Sequence, residues 1–197
     1  MVYILAGCSV KGSLPFYHSP DFTPLWTTDT LKQPLHTIAH FAFTDQDNKI
    51  ITNESLKGKI YAANFFFTSC GSICPTMTNN LLKLQKAFPN DERIAIVSHS
   101  VAPWIDRSAR LKSYATRFKM DNRWHLLTGN KAEIYKLARQ SYFAEEQIGF
   151  TKDSSDFLHT EHVLLIDKNR HIRGIYNGTL ELEIDRMIDD IKILLKE

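Results

Sequence analysis

Ile60-Tyr61-Ala62-Ala63-Asn64-Phe65-Phe66-Phe67 runs straight into Thr68-Ser69-Cys70-Gly71-Ser72-Ile73-Cys74-Pro75. The first half is almost continuously apolar, the pattern of a central strand buried on both faces. From Pro75 to Phe88 the residues Met77, Leu81, Leu84 and Phe88 fall on one stripe, as in an amphipathic helix. Cys70 and Cys74 therefore lie between the C-terminal end of a strand and the N-terminus of a helix. Backbone N–H groups and the helix dipole favour anions there, so both thiols are expected to ionise easily. Ready thiolates bind soft metals and exchange with disulfides.

Elements alternate outward from this stretch. Upstream, Ile38–Thr44 and Lys49–Thr52 flank Asp45-Gln46-Asp47-Asn48, a predicted hairpin. Downstream, Arg93–Ser98 reads as a second buried strand, and Asp106 is expected to cap a helix running to Phe118. Trp124–Leu127 is a short strand, and Asn130 with Glu133 three residues on starts a helix ending near Tyr142. Glu161–Ile166 and Ile172–Tyr176 are strands. Leu180, Ile184, Met187, Ile188, Ile191 and Leu195 share one face of a last helix. This order predicts an α/β thioredoxin-like fold, with an N-terminal β-hairpin extension and a helical insertion over about 106–142. The first two long strands should be parallel and adjacent, placing Cys70 and Cys74 where such sheets carry their sites.

Residues 1–36 read differently. Pro15, Pro20, Pro24 and Pro34 interrupt any period, so this part is expected to be a tether with few core contacts, and 37–197 the folded domain. Leu5-Ala6-Gly7-Cys8 is similar to the lipobox of bacterial lipoproteins, in which the cysteine is lipidated. The preceding run lacks a basic start and a full-length apolar core, so either translation starts upstream or the match is chance. Nothing approaches the ~20 apolar residues of a membrane-spanning helix. If the chain is membrane-bound, something other than residues 9–197 holds it there, and the lipobox-like match implies a lipid anchor at Cys8.

Composition narrows the chemistry. The 197 residues suit one domain with extensions, and a net charge of +2 gives no reason to invoke nucleic acid. Three cysteines are too few for a disulfide scaffold of this length. Structural zinc needs four ligands, and only Cys8 remains beyond the pair. The bland alternative is two buried thiols or a local disulfide. A redox site of the thioredoxin type has two residues between its cysteines, whereas Cys70 and Cys74 enclose three. That spacing lets two sulfurs face one side of a helix start and clamp copper(I), with an imidazole as a third ligand. Among eight histidines, His159 stands just before a strand, where it can reach a neighbouring strand end; His162, inside the strand, is its rival.

These segments together resemble the Sco/SenC family of copper-handling, thioredoxin-like proteins needed for cytochrome c oxidase assembly. Phe66-Phe67-Thr68-Ser69-Cys70-Gly71-Ser72-Ile73-Cys74-Pro75 is similar to its F-x-F-T-x-C-x-x-x-C-P motif. Ser100-Val101-Ala102-Pro103 with Leu111-Lys112-Ser113-Tyr114-Ala115 resembles S-V-D-P…L-x-x-Y-A. Trp124–Gly129 and His159-Thr160…Leu165-Ile166-Asp167 resemble two further motifs, and the similarity spans roughly 38–195. It implies that Cys70, Cys74 and His159 bind copper, and it selects His159 over His162. It also implies a bacterial envelope protein, held at the membrane with its domain on the extracytoplasmic side. The implied partner is the copper-site subunit of cytochrome c oxidase. Ala102 departs from the family, which commonly has Asp there, and Leu158 stands where Asp or Asn is frequent. The competing implication is a thiol–disulfide oxidoreductase in which Cys70 and Cys74 are catalytic and a partner protein supplies the other thiols.

Overall fold

Side chains of a strand point alternately to opposite faces, and residues 60–66 use both faces for burial. Tyr61, Ala63 and Phe65 enter one apolar cluster; Ile60, Ala62 and Phe66 enter another. The computed structural model describes residues 12–26, 34–144 and 160–197. Cys8 and His159 lie outside the described residues.

The strands are β1 (Phe16–Tyr17), β2 (Pro24–Leu25), β3 (Ala42–Thr44), β4 (Ile50–Thr52), β5 (Ile60–Phe66), β6 (Ile94–Ser100), β7 (Trp124–Leu127), β8 (His162–Ile166) and β9 (Ile172–Asn177). The helices are α1 (Ile73–Ala87), α2 (Ser108–Phe118), α3 (Lys131–Gln140) and α4 (Glu181–Leu194). One seven-stranded sheet has the order β2-β1-β9-β8-β5-β6-β7, and β3 and β4 form a separate hairpin. β5 pairs parallel with β6, Ile60 opposite Ile94, and antiparallel with β8, Asn64 opposite Val163. The expected parallel β–α–β core is thus present, with β8 and β9 closing the sheet antiparallel.

Two cores sandwich the sheet. Helices α1, α2 and α4 cover one face through Met77, Leu81, Leu84, Leu111, Ile184, Met187 and Ile191. α3 and the β3–β4 hairpin cover the other through Ile134, Leu137, Phe43 and Ile51. The hairpin is tied to the edge strand β7 by the Gln46 side chain, by an Asp45–His125 contact at 3.3 Å and, just past β7, by backbone bonds exchanged between Thr44 and Thr128. Gln46 Nε2 donates to the Trp124 carbonyl at 2.7 Å and its Oε1 accepts from Leu126 N at 2.7 Å. This occupies backbone groups that an exposed edge would otherwise offer to another chain. Between β5, β6 and β7, Trp124 Nε1 donates to Ser98 Oγ (2.9 Å), which donates to Asn64 Oδ1 (2.6 Å), so these buried polar groups are partnered.

Three local expectations need correction. Asp106 does not cap α2: Arg107 is the N-cap and makes no side-chain cap bond. A carboxylate just before a helix gives the same sequence signal whether it turns back on its own helix or forward to another strand. Leu180 does not face the core; it precedes α4 and is exposed. The third correction concerns residues 14–25, which are not a loose tether. Tyr17 pairs with Ile172 on the sheet edge, and the buried Arg173 donates to the carbonyls of Leu14 (2.8 Å) and Pro15 (3.1 Å). The same guanidinium lies 4.1 Å from the Phe16 ring centroid. An unsatisfied guanidinium in a β-strand draws backbone carbonyls to itself, and the extended proline-rich strap supplies them. By contrast Asn130 does cap α3, accepting from Glu133 N at 3.2 Å.

Candidate metal and thiol centre

β5 delivers the chain to the cysteines, and α1 begins inside the motif. The helix starts at Ile73, two residues earlier than its apolar stripe suggests, so Cys74 belongs to its first turn. Ser72, the N-cap, makes no side-chain cap bond, and the first turn holds no acidic residue. The sulfur of Cys70 takes that role. Cys74 N–H donates to Cys70 Sγ at 3.3 Å. A sulfur at the positive end of a helix is stabilised as an anion.

The two thiols consequently differ. Partial burial raises the Cys70 pKa, but hydrogen bonds from the backbone of Cys74 and Ser72, from the Cys74 side chain and from the backbone of Ile73 outweigh it, and the net shift is downward. Burial dominates at Cys74 and pushes it up to about 12, with contributions from the neighbouring Cys70 and Asp106. Cys74 is only 5% exposed and packs in the same core cluster as Met77 and Leu81. The expectation that both thiols ionise easily therefore holds for Cys70 alone. In the chain they alternate between solvent and core, and spacing does not reveal which way each faces.

Below the cysteines lies a polar clamp that the sequence did not disclose. Asp106, fully buried, accepts from Thr68 N (3.1 Å), from the Thr68 hydroxyl and from Ser100 Oγ (2.6 Å). Arg110 closes the other side, Nε donating to Thr68 Oγ1 at 2.6 Å and Nη2 to Ser69 Oγ at 3.1 Å. Ala102 itself supplies no carboxylate at this corner; its N–H donates to Ser100 Oγ at 3.1 Å.

Of the remaining candidates, His162 opens β8 with an exposed side chain, its ring edge-on to Phe22 with centroids 6.2 Å apart. Thr160 leads into β8 at the end of β5 that carries the cysteines, because Val163 pairs with Asn64. Among the described residues no group of three His, Cys, Asp or Glu side chains is placed to hold a metal, and Cys70 and Cys74 are free thiols. Two sulfurs at one helix start are suited to a soft ion, which needs few ligands. A histidine overlooked in the sequence is His99. It is fully buried on β6 with both ring nitrogens unpartnered, boxed by Phe41, Phe43, Phe65 and Tyr142 with ring centroids 5.3–5.9 Å away. Its alternation along β6 is the only sequence sign that it faces the core.

A sequence profile of the SCO1/SenC family matches residues 29–196. The chain belongs to the SCO1/SenC family. A SCO1/SenC family lipoprotein from Bacillus anthracis superposes with a TM-score of 0.70 at 32% identity, over 84% of this chain and 99% of the other. BsSco, described as a cytochrome c oxidase assembly protein with a disulfide switch, gives 0.67 at 32% identity over 83% and 96%. Bradyrhizobium japonicum ScoI, solved with copper bound, gives 0.65 at 29% identity over 80% and 99%. The fold of this SCO1/SenC member is accordingly thioredoxin-like, as the order of its elements along the chain predicted. Among its described residues no helix is long and apolar enough to cross a membrane.

Proposed function

We propose that this chain carries copper(I) to the binuclear copper site of cytochrome c oxidase. Cys70 and Cys74 act as thiolate ligands and His159 as the imidazole ligand. The observation that carries the reading is the thiol pair at the start of α1, with Cys70 Sγ 3.3 Å from Cys74 N. Copper(I) is the cargo, and its preference for soft sulfur at low coordination number suits two cysteines and one histidine. Cys70 offers its anion readily. Cys74 gives up its proton as the ion binds, because metal binding displaces protons from its ligands. His159 directly precedes Thr160 in sequence, and Thr160 leads into β8 beside the cysteine end of β5. The copper-bound ScoI relative and the oxidase-assembly description of BsSco support the assignment. A lipid on Cys8 would hold the domain at the outer face of the bacterial membrane, in keeping with the Bacillus anthracis lipoprotein. Mass spectrometry of native protein should then find acylated Cys8 at the mature N-terminus; an unmodified chain continuing upstream of Cys8 would remove the anchor.

The test of the carrier role is anaerobic copper(I) titration of the reduced protein against a competing chelator. Cys70→Ser and Cys74→Ser should abolish tight binding, His159→Ala should weaken it, and His162→Ala should leave it unchanged. If all four variants bind as the wild type does, the chain does not carry copper at this site.

The second reading is a thiol–disulfide oxidoreductase, and the asymmetry of the pair favours it specifically. An accessible thiol of lowered pKa beside a buried one of raised pKa suits attack by Cys70 and resolution by Cys74. Exchange needs only the two sulfurs, so His159→Ala would leave its rate intact while copper affinity falls.

A further inference from the structure

We infer that Asp106 is a positioning residue for the thiol pair, acting with Arg110 as a two-sided clamp on Thr68 and Ser69. This rests on the cysteine site assigned above and adds the element that sets its geometry. Asp106 comes from the turn after β6, Arg110 from the first turn of α2, and the clamped residues from the turn after β5. All three segments meet immediately before Cys70. The Asp106 carboxylate is 0% exposed and takes up the Thr68 N–H, the Thr68 hydroxyl and the Ser100 hydroxyl. Buried acceptors so filled are costly to disturb. Arg110 Nε lies 3.7 Å from Asp106 Oδ1 and donates to Thr68 Oγ1, so the guanidinium and carboxylate hold one hydroxyl between them.

The clamp matters because its target is not structurally idle. Thr68 and Ser69 lead into Cys70, whose sulfur must stay within reach of the Cys74 backbone in the dithiol and close on Cys74 Sγ in the disulfide. Phe67 O accepts the Cys70 N–H at 3.2 Å, so the path from clamp to sulfur contains one turn and no free segment. Fixing that turn lowers the entropy lost when the sulfurs are drawn together, by each other or by a metal ion. Asp106 makes no hydrogen bond to either sulfur; its positioning effect passes through Thr68, and Thr68→Val, which leaves the carboxylate in place, separates that effect from the charge Asp106 exerts on Cys74.

Two measurements on folded, reduced protein test this. The first is the equilibrium with glutathione disulfide, in which Cys70 and Cys74 give up two electrons and two protons and two glutathione thiols leave. The second is copper(I) affinity by chelator competition. Asp106→Asn, whose amide places donors against donors, should shift the glutathione equilibrium constant about tenfold and lower copper affinity about 10–100-fold. Thr68→Val, which deletes the clamped hydroxyl at similar shape, should do the same. Arg110→Gln, at a half-exposed position, should give a smaller shift in the same direction. A merely structural role would lower the melting temperature and leave the equilibrium constant of the folded fraction where it was. Should Asp106→Asn fail to fold, the other two variants decide. Wild-type values for both quantities in the folded variants would overturn the clamp. If the wild type shows no cysteine-dependent copper uptake, the carrier reading fails by itself; the glutathione equilibrium then settles the clamp, a shift supporting it and an unchanged constant refuting it.

Discussion

Cys70 and Cys74, four residues apart across the start of α1, show how differently two identical side chains are placed. Cys70 accepts an N–H at the positive end of α1, while Cys74 is buried against Met77 and Leu81. At pH 7 in the metal-free protein, iodoacetamide should alkylate Cys70 at least ~10-fold faster than Cys74, since each unit of pKa changes the thiolate fraction tenfold. Peptide mapping of partially labelled protein measures this, and equal labelling would contradict the assigned asymmetry. His99 makes the complementary case for a buried base. Burial among aromatic rings lowers its pKa from 6.5 to about 3. The unfolded chain therefore binds a proton between those values that the folded chain does not. Stability from this residue is full above pH 6.5 and falls as pH drops toward 3. From pH 7 to 4.5 the loss is about 3 kcal/mol. In urea titrations His99→Leu should lack that part of the acid loss, whatever its effect at pH 7; an unchanged pH slope would mean that His99 is protonated in the fold.

The strap β1–β2 shows what one element owes to a single residue on another. Arg173 on β9 pairs with Asp167 (3.2 Å) and Glu197 (2.8 Å) and donates to Leu14 O and Pro15 O. Asp167 is 5% exposed, so removing the guanidinium strands a buried carboxylate. Arg173→Leu should cost about 3 kcal/mol in urea unfolding. It should also expose the Tyr17 amide to rapid hydrogen exchange, because strand and carbonyl contacts are released together. Retained protection at Tyr17 would show that pairing with Ile172 suffices. The strap also marks the limit of reading elements from sequence. β5, β6, α1 and α4 were legible because apolar residues recur at the period of their own element. Asn130 was legible because it caps the helix it adjoins. Asp106, Gln46 and Arg173 were not, since each satisfies backbone or hydroxyl groups far off in the chain, and a polar residue carries no sequence mark of its distant partner. The cysteine pair was visible by spacing; its asymmetry depended on which way each thiol turned once α1 began at Ile73.

Across the whole molecule, the Arg173 tie and the thiol pair are at opposite ends of β5. β5 starts at Ile60 beside Ile166 and Asp167, where Arg173 joins strap, sheet and C-terminus, and it ends at Phe66, where the cysteine loop begins. Both apolar cores lie between these ends and are complete without a bond between the sulfurs, since both cysteines are free thiols. The proposed carrier and exchange roles require dithiol, disulfide and metal-bound forms, and so a fold that none of those changes unsettles. Closing a disulfide between residues so near in sequence removes little freedom from the unfolded chain, worth about 2 kcal/mol at most. The dithiol and disulfide forms should accordingly differ in stability by no more than that, and by less than Arg173→Leu changes either one. Calorimetric melting of both forms at neutral pH, with and without Arg173→Leu, makes the comparison. A loss on reduction larger than the loss from Arg173→Leu would make the Cys70–Cys74 bond a staple of the fold, and the thiol pair could not then be free to cycle as carrier or exchanger.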